Sequence, residues 1–177
     1  ASSGLFPPAR RALMQGSHPA QPKPRPGAIY ALLLDVAGED EGLAADGELA
    51  HPARDATALT LIEVDLSSLA DALIGRPTYR AVGRWQWVGA RHAALYGQLR
   101  AITEQWRARW VVVDATGLGA GLASFLEKAF GRRVIPFTFN QASKSRLGWA
   151  FTALIDGGRY KEFDPTCAAP EQAALQR

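Results

Sequence analysis

Two aspartates, each closing an apolar run, are the residues of this sequence best suited to chemistry. Asp35 ends the run IYALLLD, and Asp114 ends the run WVVVD. A carboxylate that continues a row of core-facing side chains is costly unless it meets a cation or hydrogen-bond donors. If the two strands are neighbours, both carboxylates emerge at the same end of the sheet and form an oxygen-rich site suited to Mg²⁺ or Mn²⁺. Strand alternation places Asp35 in one row with Ile29, Ala31 and Leu33, and Asp114 in one row with Trp110 and Val112.

A plainer interpretation stays open for each aspartate taken alone, because aspartate at a strand end often caps the following turn. A third acid, Asp55, stands just before the second predicted strand in RDATALT. In a strand meander Asp55 lies near the Asp35 end of the sheet, where it either helps to hold metal or faces solvent in a turn. We therefore predict a metal site made of Asp35 and Asp114, with Asp55 as a further candidate ligand.

Basic residues in two places are candidate contacts for a phosphate backbone. Lys144 and Arg146 lie early in a predicted helix, off its apolar face, and Arg80 and Arg84 lie on the polar face of a predicted strand. Exposed lysine and arginine are usually only solvated, so each of the four is a candidate and no more. The net charge of +3 suits a polyanionic partner but is equally common in proteins that never bind nucleic acid.

Other chemistries lack their signatures. The glycines of GLGAG at 117–121 open a helix after a strand, but they lack the G-x-G-x-x-G spacing of a dinucleotide site, and no P-loop motif occurs. We expect these glycines to serve close packing of the helix. The three histidines are scattered and Cys167 stands alone, which gives no zinc spacing and no internal disulfide.

The hydrophobic pattern predicts three strands and then helices that alternate with strands. Predicted strands cover 28–36, 57–66, 78–88, 110–113 and 133–139, and residues 159–163 are a candidate for a last short strand. Predicted helices begin near residues 91, 116 and 141. Thr116 is expected to cap the second helix. This β-β-β-α-β-α-β-α order resembles the RNase H-like fold, an α/β class with a mixed five-stranded sheet and helices on both faces.

The same pattern assigns faces to individual side chains. Ala28 to Val36 is nearly all apolar, which predicts a strand buried on both faces. Two further sets are expected to share a face: Tyr79, Ala81, Trp85 and Trp87 on the third strand, and Leu147, Phe151 and Leu154 on the core side of the last helix.

Composition divides the chain into two parts. Residues 1–27 hold six prolines and read as a proline-rich linker or N-terminal extension, and residues 28–177 read as the RNase H-like domain, whose C-terminal part we expect to be incomplete. No stretch of eighteen apolar residues predicts a membrane span. The single cysteine is compatible with a reducing compartment, and a cytoplasmic location is the expectation.

Four stretches resemble the nuclease half of phage large terminase subunits: ALLLDVAGEDEG, RDATALTLIEVD, RWVVVDATGLGAGLASFLEKAFG and VIPFTFNQASKSRLGWAFTALIDGGRYKEF. The resemblance implies an RNase H-like nuclease that cuts concatemeric double-stranded DNA with two Mg²⁺ or Mn²⁺ ions. Asp35 and Asp114 match the family's first and second catalytic aspartates, and Asp55 resembles an auxiliary acidic position. The family's third catalytic aspartate lies in a late HDD-like segment, which we do not find. The implied partners are an N-terminal ATPase domain, the portal and the small terminase subunit, in the cytoplasm of a host cell.

Three other hypotheses stay open. The domain could be another RNase H-like nuclease, of the resolvase or transposase type. It could instead be a non-catalytic DNA-binding or motor-docking domain with a degenerate site, which the missing third acid favours. A nucleotide-binding α/β domain is the most distant alternative.

Overall fold

The computed structural model describes residues 5–37 and 56–171, which form a mixed sheet with helices on both faces. None of the helices in these ranges is long and apolar enough to cross a membrane. The helices are α1 Pro8–Met14, α2 His92–Trp106, α3 Gly119–Phe130 and α4 Gln141–Asp156. The strands are β1 Ile29–Asp35, β2 Ala56–Asp65, β3 Thr78–Val88, β4 Trp110–Asp114, β5 Val134–Phe137 and β6 Tyr160–Lys161.

The sheet has the strand order β5-β4-β1-β2-β3-β6. β1, β4 and β5 are parallel neighbours, β2 runs antiparallel between β1 and β3, and β6 pairs in parallel with β3. The predicted RNase H-like class is confirmed, but the sheet has six strands where we expected five. The additional strand, β6, has only two residues and lies within 159–163, the stretch that the sequence offers as a last short strand.

One face of the sheet carries the larger core, under α2 and α3. Leu95, Leu99 and Trp106 of α2 and Leu122 and Leu126 of α3 are almost fully buried against the strands. Their spacing of four and seven residues places them on one stripe of each helix. Each such side chain stabilises the fold by about 1.5–3 kcal/mol through burial, before the cost of ordering the chain.

The other face is covered only in part. Residues of α1 and α4, with Ile155 fully buried, pack over the first residues of β1 and β3 and the last residues of β2. Toward the end of β1, however, Leu33 is 43% exposed although β1 is a central strand. The expectation that β1 is buried on both faces is therefore wrong for this half. The prediction that Leu147 lies in the core is also wrong. Leu147 is 47% exposed, because α4 contacts the sheet through its later turns.

A β-bulge at Val82 divides β3 into two halves. The register against β2 shifts there, so one residue of β3 has no partner. Before the bulge Tyr79 and Ala81 pack on the α4 side, and after it Trp85 and Trp87 pack on the α2 side. The prediction that these four side chains share one face is wrong, because a single inserted residue exchanges the two faces of a strand.

The described part of the proline-rich segment packs against the domain. Arg10 pairs with Asp156 at 2.8 Å, so α1 is attached to the end of α4. Gly16 donates its N–H to the carbonyl oxygen of Glu162 at 2.9 Å, and Nε2 of His18 lies 2.8 Å from the carbonyl oxygen of Ala81. The described residues of this segment thus contact the domain, and the division of the chain after residue 27 stays a prediction.

Candidate metal site

The two aspartates stand side by side at the carboxyl end of the sheet. β1 and β4 pair in parallel register up to Leu34 and Val113, and Asp35 and Asp114 are the next residue on each strand. Both carboxylates also point to the same face, since each lies two residues beyond the paired Leu33 and Val112. This is the partly uncovered face, and Asp35 is exposed while Asp114 is half-buried. The geometry therefore gives a carboxylate pair that is open to solvent.

Local hydrogen bonds fix the position of Asp114. Its Oδ1 accepts the backbone N–H of Thr116 at 2.8 Å, so it caps the turn, as the plainer interpretation proposed. Oδ2 makes no hydrogen bond with a described residue. Thr116 does not cap α3, because its Oγ1 accepts the N–H of Phe139 at 2.9 Å and its place in the turn puts it before the helix. The turn is thereby joined to the segment after β5.

Gly119 allows α3 to begin directly over Asp114. A Cβ at this position would lie 2.0 Å from the carbonyl oxygen of Asp114 and 3.4 Å from Cβ of Val36. Only glycine permits this approach without moving the backbone of β4. The prediction of close packing is thus confirmed for Gly119 but is wrong for Gly117 and Gly121, where a Cβ would meet nothing within 4 Å.

The exit of β1 is held by residues that the sequence did not single out. The N–H of Ala37 donates to Oγ1 of Thr57 at 3.0 Å, and Nε2 of His92 lies 3.3 Å from the carbonyl oxygen of Ala37. His92 is the first residue of α2, so this helix starts beside the carboxylate pair. In the sequence His92 is one of three scattered histidines, and its place at a predicted helix start is the only sign of this role.

Lys144 lies at the same end of the sheet. The N-terminus of α4 is closed by a capping box in which Asn140 and Ser143 exchange hydrogen bonds. Nζ of Lys144 lies 5.9 Å from the ring centroid of Phe139, which stacks edge-on against Phe137 at 4.9 Å. Phe137 is the register partner of Asp114. The lysine is thus positioned one strand away from the carboxylates, and Arg146 is exposed two residues further along α4.

Arg80 and Arg84 are engaged by carboxylates and do not share a face. Arg80 donates to Glu63 on the α2 side, and Arg84 forms an ion pair of 2.7 Å with Glu162 on the other side. The bulge between them explains the separation. Contact of these two arginines with DNA remains a prediction, and Lys144 and Arg146 are better placed. Asp55 lies outside the described residues.

The carboxylate pair fits a divalent cation in its donor chemistry. Two adjacent carboxylates on an open face offer the hard oxygen ligands that Mg²⁺ and Mn²⁺ prefer. Within residues 5–37 and 56–171, no group of three or more acidic, histidine or cysteine side chains comes together. Asp35 and Asp114 are thus two candidate ligands, and a metal ion bound by them would need further ligands from water, substrate or other residues.

An RNase H-like sheet with paired aspartates at the ends of its first and fourth strands defines the structural class. The chain belongs to the terminase RNaseH-like domain family, whose model matches residues 74–170. The matched range contains Asp114 and Lys144 but begins after Asp35. The family assignment made from sequence resemblance is thus confirmed.

Solved structures of large terminase nucleases have the same fold. The nuclease from thermophilic phage G20c with bound magnesium is 18% identical, with a TM-score of 0.64 over 94% of this chain and 77% of that chain. The same nuclease with bound cobalt gives a TM-score of 0.63 at 20% identity, over the same shares. The large terminase nuclease domain of Thermus phage P74-26 gives 0.60 at 18% identity, over 93% of this chain and 74% of that chain.

One curated relative is similar in sequence. A probable terminase ATPase subunit of Haemophilus phage HP1 (strain HP1c1) is 27% identical over 81 residues, which are 46% of this chain. The chain spans only 13% of the length of that protein.

Proposed function

We propose that this domain is a metal-dependent endonuclease that cuts double-stranded DNA, as the nuclease part of a phage large terminase. The observation that carries the proposal is the pair of aspartates at the adjacent carboxyl ends of β1 and β4. Family membership supports it, as do the magnesium and cobalt bound to the similar nucleases of phage G20c.

Asp35 and Asp114 would hold the metal, two Mg²⁺ or Mn²⁺ ions in the complete site, and Asp55 is an auxiliary candidate. When bound, such ions supply an activated water and neutralise the charge that develops on the phosphate. The chain's own contribution is placement: the N–H of Thr116 orients the carboxylate of Asp114, and Gly119 seats α3 behind it. Lys144 and Arg146 bind the phosphate backbone, so cutting shows little sequence preference.

The remaining features of the proposal concern the whole protein. The similarity to a terminase ATPase subunit supports an ATPase domain in the same polypeptide. The portal and the small terminase subunit are then the expected partners, and a host cell's cytoplasm is the expected location.

A non-catalytic DNA-binding domain is the second candidate, because only two acids meet among the described residues. Nicking of supercoiled plasmid in Mn²⁺ separates the two functions. We expect the parent chain to nick the plasmid and EDTA to stop the nicking. Asp35→Asn and Asp114→Asn should each reduce the nicking rate by at least about 100-fold, because each removes the charge of a metal ligand. Nicking by Asp114→Asn at the parental rate contradicts the proposal.

Two lysines allow a matched test of phosphate binding in the same assay. Lys144 and Lys128 are both exposed on helices, and each lies over a phenylalanine ring, at 5.9 and 5.5 Å. We expect Lys144→Gln to raise the DNA concentration needed for half-maximal nicking, and Lys128→Gln to leave it unchanged. Equal effects of the two substitutions mean that Lys144 acts only through net charge.

A further inference from the structure

Four arginines gather at the amino end of the sheet, opposite the carboxylate pair, and the proposed function does not use them. Arg107 caps α2, Arg109 directly precedes β4, and Arg132 and Arg133 directly precede β5. We call these four residues the arginine end. β1 is seven residues long, so at about 3.3 Å per residue the arginine end lies on the order of 20 Å from Asp35.

Three of these arginines line one groove. Arg107, Arg109 and Arg133 surround a depression of about 590 Å³, whose floor is made by Ala108 and the first residues of β1. No side chain among the large apolar residues exposed in the described ranges lines this groove. Interfaces between proteins usually have an apolar, aromatic centre, whereas interfaces with DNA are polar and positively charged. Four of the eight lining residues are apolar or aromatic, but three of the other four are arginines, so the rim of the groove is positively charged as in the second kind of interface.

Two of the guanidinium groups are held in place by their surroundings. Arg133 donates from Nε and Nη2 to the carbonyl oxygen of Ala108, at 2.9 and 2.5 Å, and it lies 5.2 Å from the ring centroid of Phe130. Arg109 lies at the same distance over the ring of Trp110. Stacking on a ring fixes the plane of a guanidinium and leaves N–H donors available to an anion.

The charges of the arginine end are not neutralised locally. None of the four forms an ion pair with a carboxylate of the described residues, whereas Arg10, Arg25, Arg80 and Arg84 each do. The acid that lines the groove, Glu104, is already paired with Arg100 at 3.1 Å. A concentration of uncompensated guanidinium charge attracts a polyanion.

We propose that the arginine end binds the phosphate backbone of duplex DNA at a surface separate from the cutting site. The inference rests on the proposed function for the identity of the polyanion. Guanidinium forks match phosphate oxygens in geometry, and contacts to the backbone carry no sequence information. Since this surface lies at the far end of the strands from the carboxylates, it retains DNA without touching the phosphate that is cut.

The test is binding of a labelled duplex of about 30 base pairs, measured by fluorescence anisotropy in EDTA between about 50 and 200 mM NaCl. Arg107→Gln/Arg109→Gln removes two charges from the groove and leaves the carbonyl contact of Arg133 intact. Arg11→Gln/Arg76→Gln removes two exposed charges elsewhere and is the matched control. We expect the first variant to bind about tenfold more weakly. The slope of the logarithm of its binding constant against the logarithm of the salt concentration should become shallower by about 0.9 for each phosphate contact removed. The control stays within about threefold of the parent, because it loses only net charge.

Equal affinities and slopes for the two double variants overturn the inference. Overlapping thermal melting curves would show that both double variants are folded. If Arg107→Gln/Arg109→Gln has a lower melting temperature than the parent, Arg132→Gln alone replaces it in the binding test. Because binding is measured without metal, its outcome is independent of nicking. A parent that fails to nick while the arginine end still controls binding contradicts the proposed nuclease and leaves this inference standing.

Discussion

At the scale of single residues, the aspartate pair depends on a glycine that performs no chemistry. α3 begins directly behind Asp114, and a Cβ on Gly119 would overlap the carbonyl oxygen of Asp114 at 2.0 Å. Gly121 lies in the same helix and a Cβ there would meet nothing within 4 Å. Substituting each glycine in turn therefore distinguishes two effects: the close approach that only Gly119 makes, and the lower stability of a helix that contains glycine, which applies to both.

We expect Gly119→Ala to lower the free energy of unfolding by about 2 kcal/mol or more, because the helix or the strand must move. The same movement displaces Asp114, so nicking should fall as well. Gly121→Ala should instead raise the free energy of unfolding, by up to about 1 kcal/mol, because alanine favours helix. Urea unfolding followed by tryptophan fluorescence measures both, and a Gly119→Ala protein as stable as Gly121→Ala would contradict the packing argument.

At the scale of elements, a buried carboxylate joins the N-terminal segment to the sheet. Glu63 of β2 is 4% exposed and accepts hydrogen bonds from Gln21 at 2.8 Å and from Arg25 at 2.5 and 2.6 Å, with Arg80 on its other side. Burial acts to raise the pKa of Glu63, but the hydrogen bonds from Arg25 and Gln21 and the charges of Arg80 and Arg25 outweigh it. The pKa is therefore lowered.

A lowered pKa in the folded state sets the sign of the pH dependence. The contribution of Glu63 to stability is fully present above its ordinary pKa and is lost as the pH falls through the folded-state pKa. We expect Glu63→Gln to lower the free energy of unfolding by about 2 kcal/mol at neutral pH, since both arginine partners are partly exposed. The difference from the parent should shrink below about pH 4 in a urea series.

The exposed ion pair of Arg10 with Asp156 provides the control for this series. Asp156→Asn removes a carboxylate that also attaches the N-terminal segment, but it lies at the surface. We expect no measurable change in unfolding from it at any pH of the series. A Glu63→Gln effect that is constant with pH would mean that packing, and not the ionised carboxylate, stabilises this joint.

The elements also show what the sequence could and could not predict. The long apolar periodicities of β1, α2 and β4 predicted those elements within a residue or two. Alternation along β1 and β4 assigned Asp35 and Asp114 to their rows of side chains, but only the register between the strands shows that the two rows share a face. The bulge at Val82 could not be predicted, because inserting one residue leaves the local composition unchanged. For the same reason Arg80 and Arg84 were assigned to one surface and lie on two.

Long-range packing produced the remaining differences. Leu147 has the correct helical spacing for a core position, but α4 crosses the sheet only through its second half. The proline-rich segment has the composition of a linker, yet the contacts of Glu63 and Glu162 hold it against β2 and β6. Neither outcome is encoded within a window of a few residues.

At the scale of the whole molecule, opposite charges occupy opposite ends of the same parallel strands. The carboxyl end of the sheet has the aspartate pair on a partly uncovered face, and the amino end has the arginines. Two like charges on neighbouring strands are unfavourable until a cation lies between them. If a cation binds between Asp35 and Asp114, as proposed, it should therefore raise the stability of the fold, and this can be measured without any cutting.

We expect Mn²⁺ at about ten times its dissociation constant to raise the melting temperature of the parent chain by about 3–6 °C. Asp114→Asn retains an oxygen for the N–H of Thr116 but loses the charge, so in EDTA it should melt no lower than the parent, and Mn²⁺ should raise its melting temperature little. The matched control is Asp71→Asn, since Oδ1 of Asp71 accepts the N–H of Leu73 at 2.8 Å in a similar turn. It should respond to Mn²⁺ as the parent does. If Asp114→Asn gains as much from Mn²⁺ as the parent and Asp71→Asn do, the cation binds elsewhere and the carboxylate pair is not the metal site.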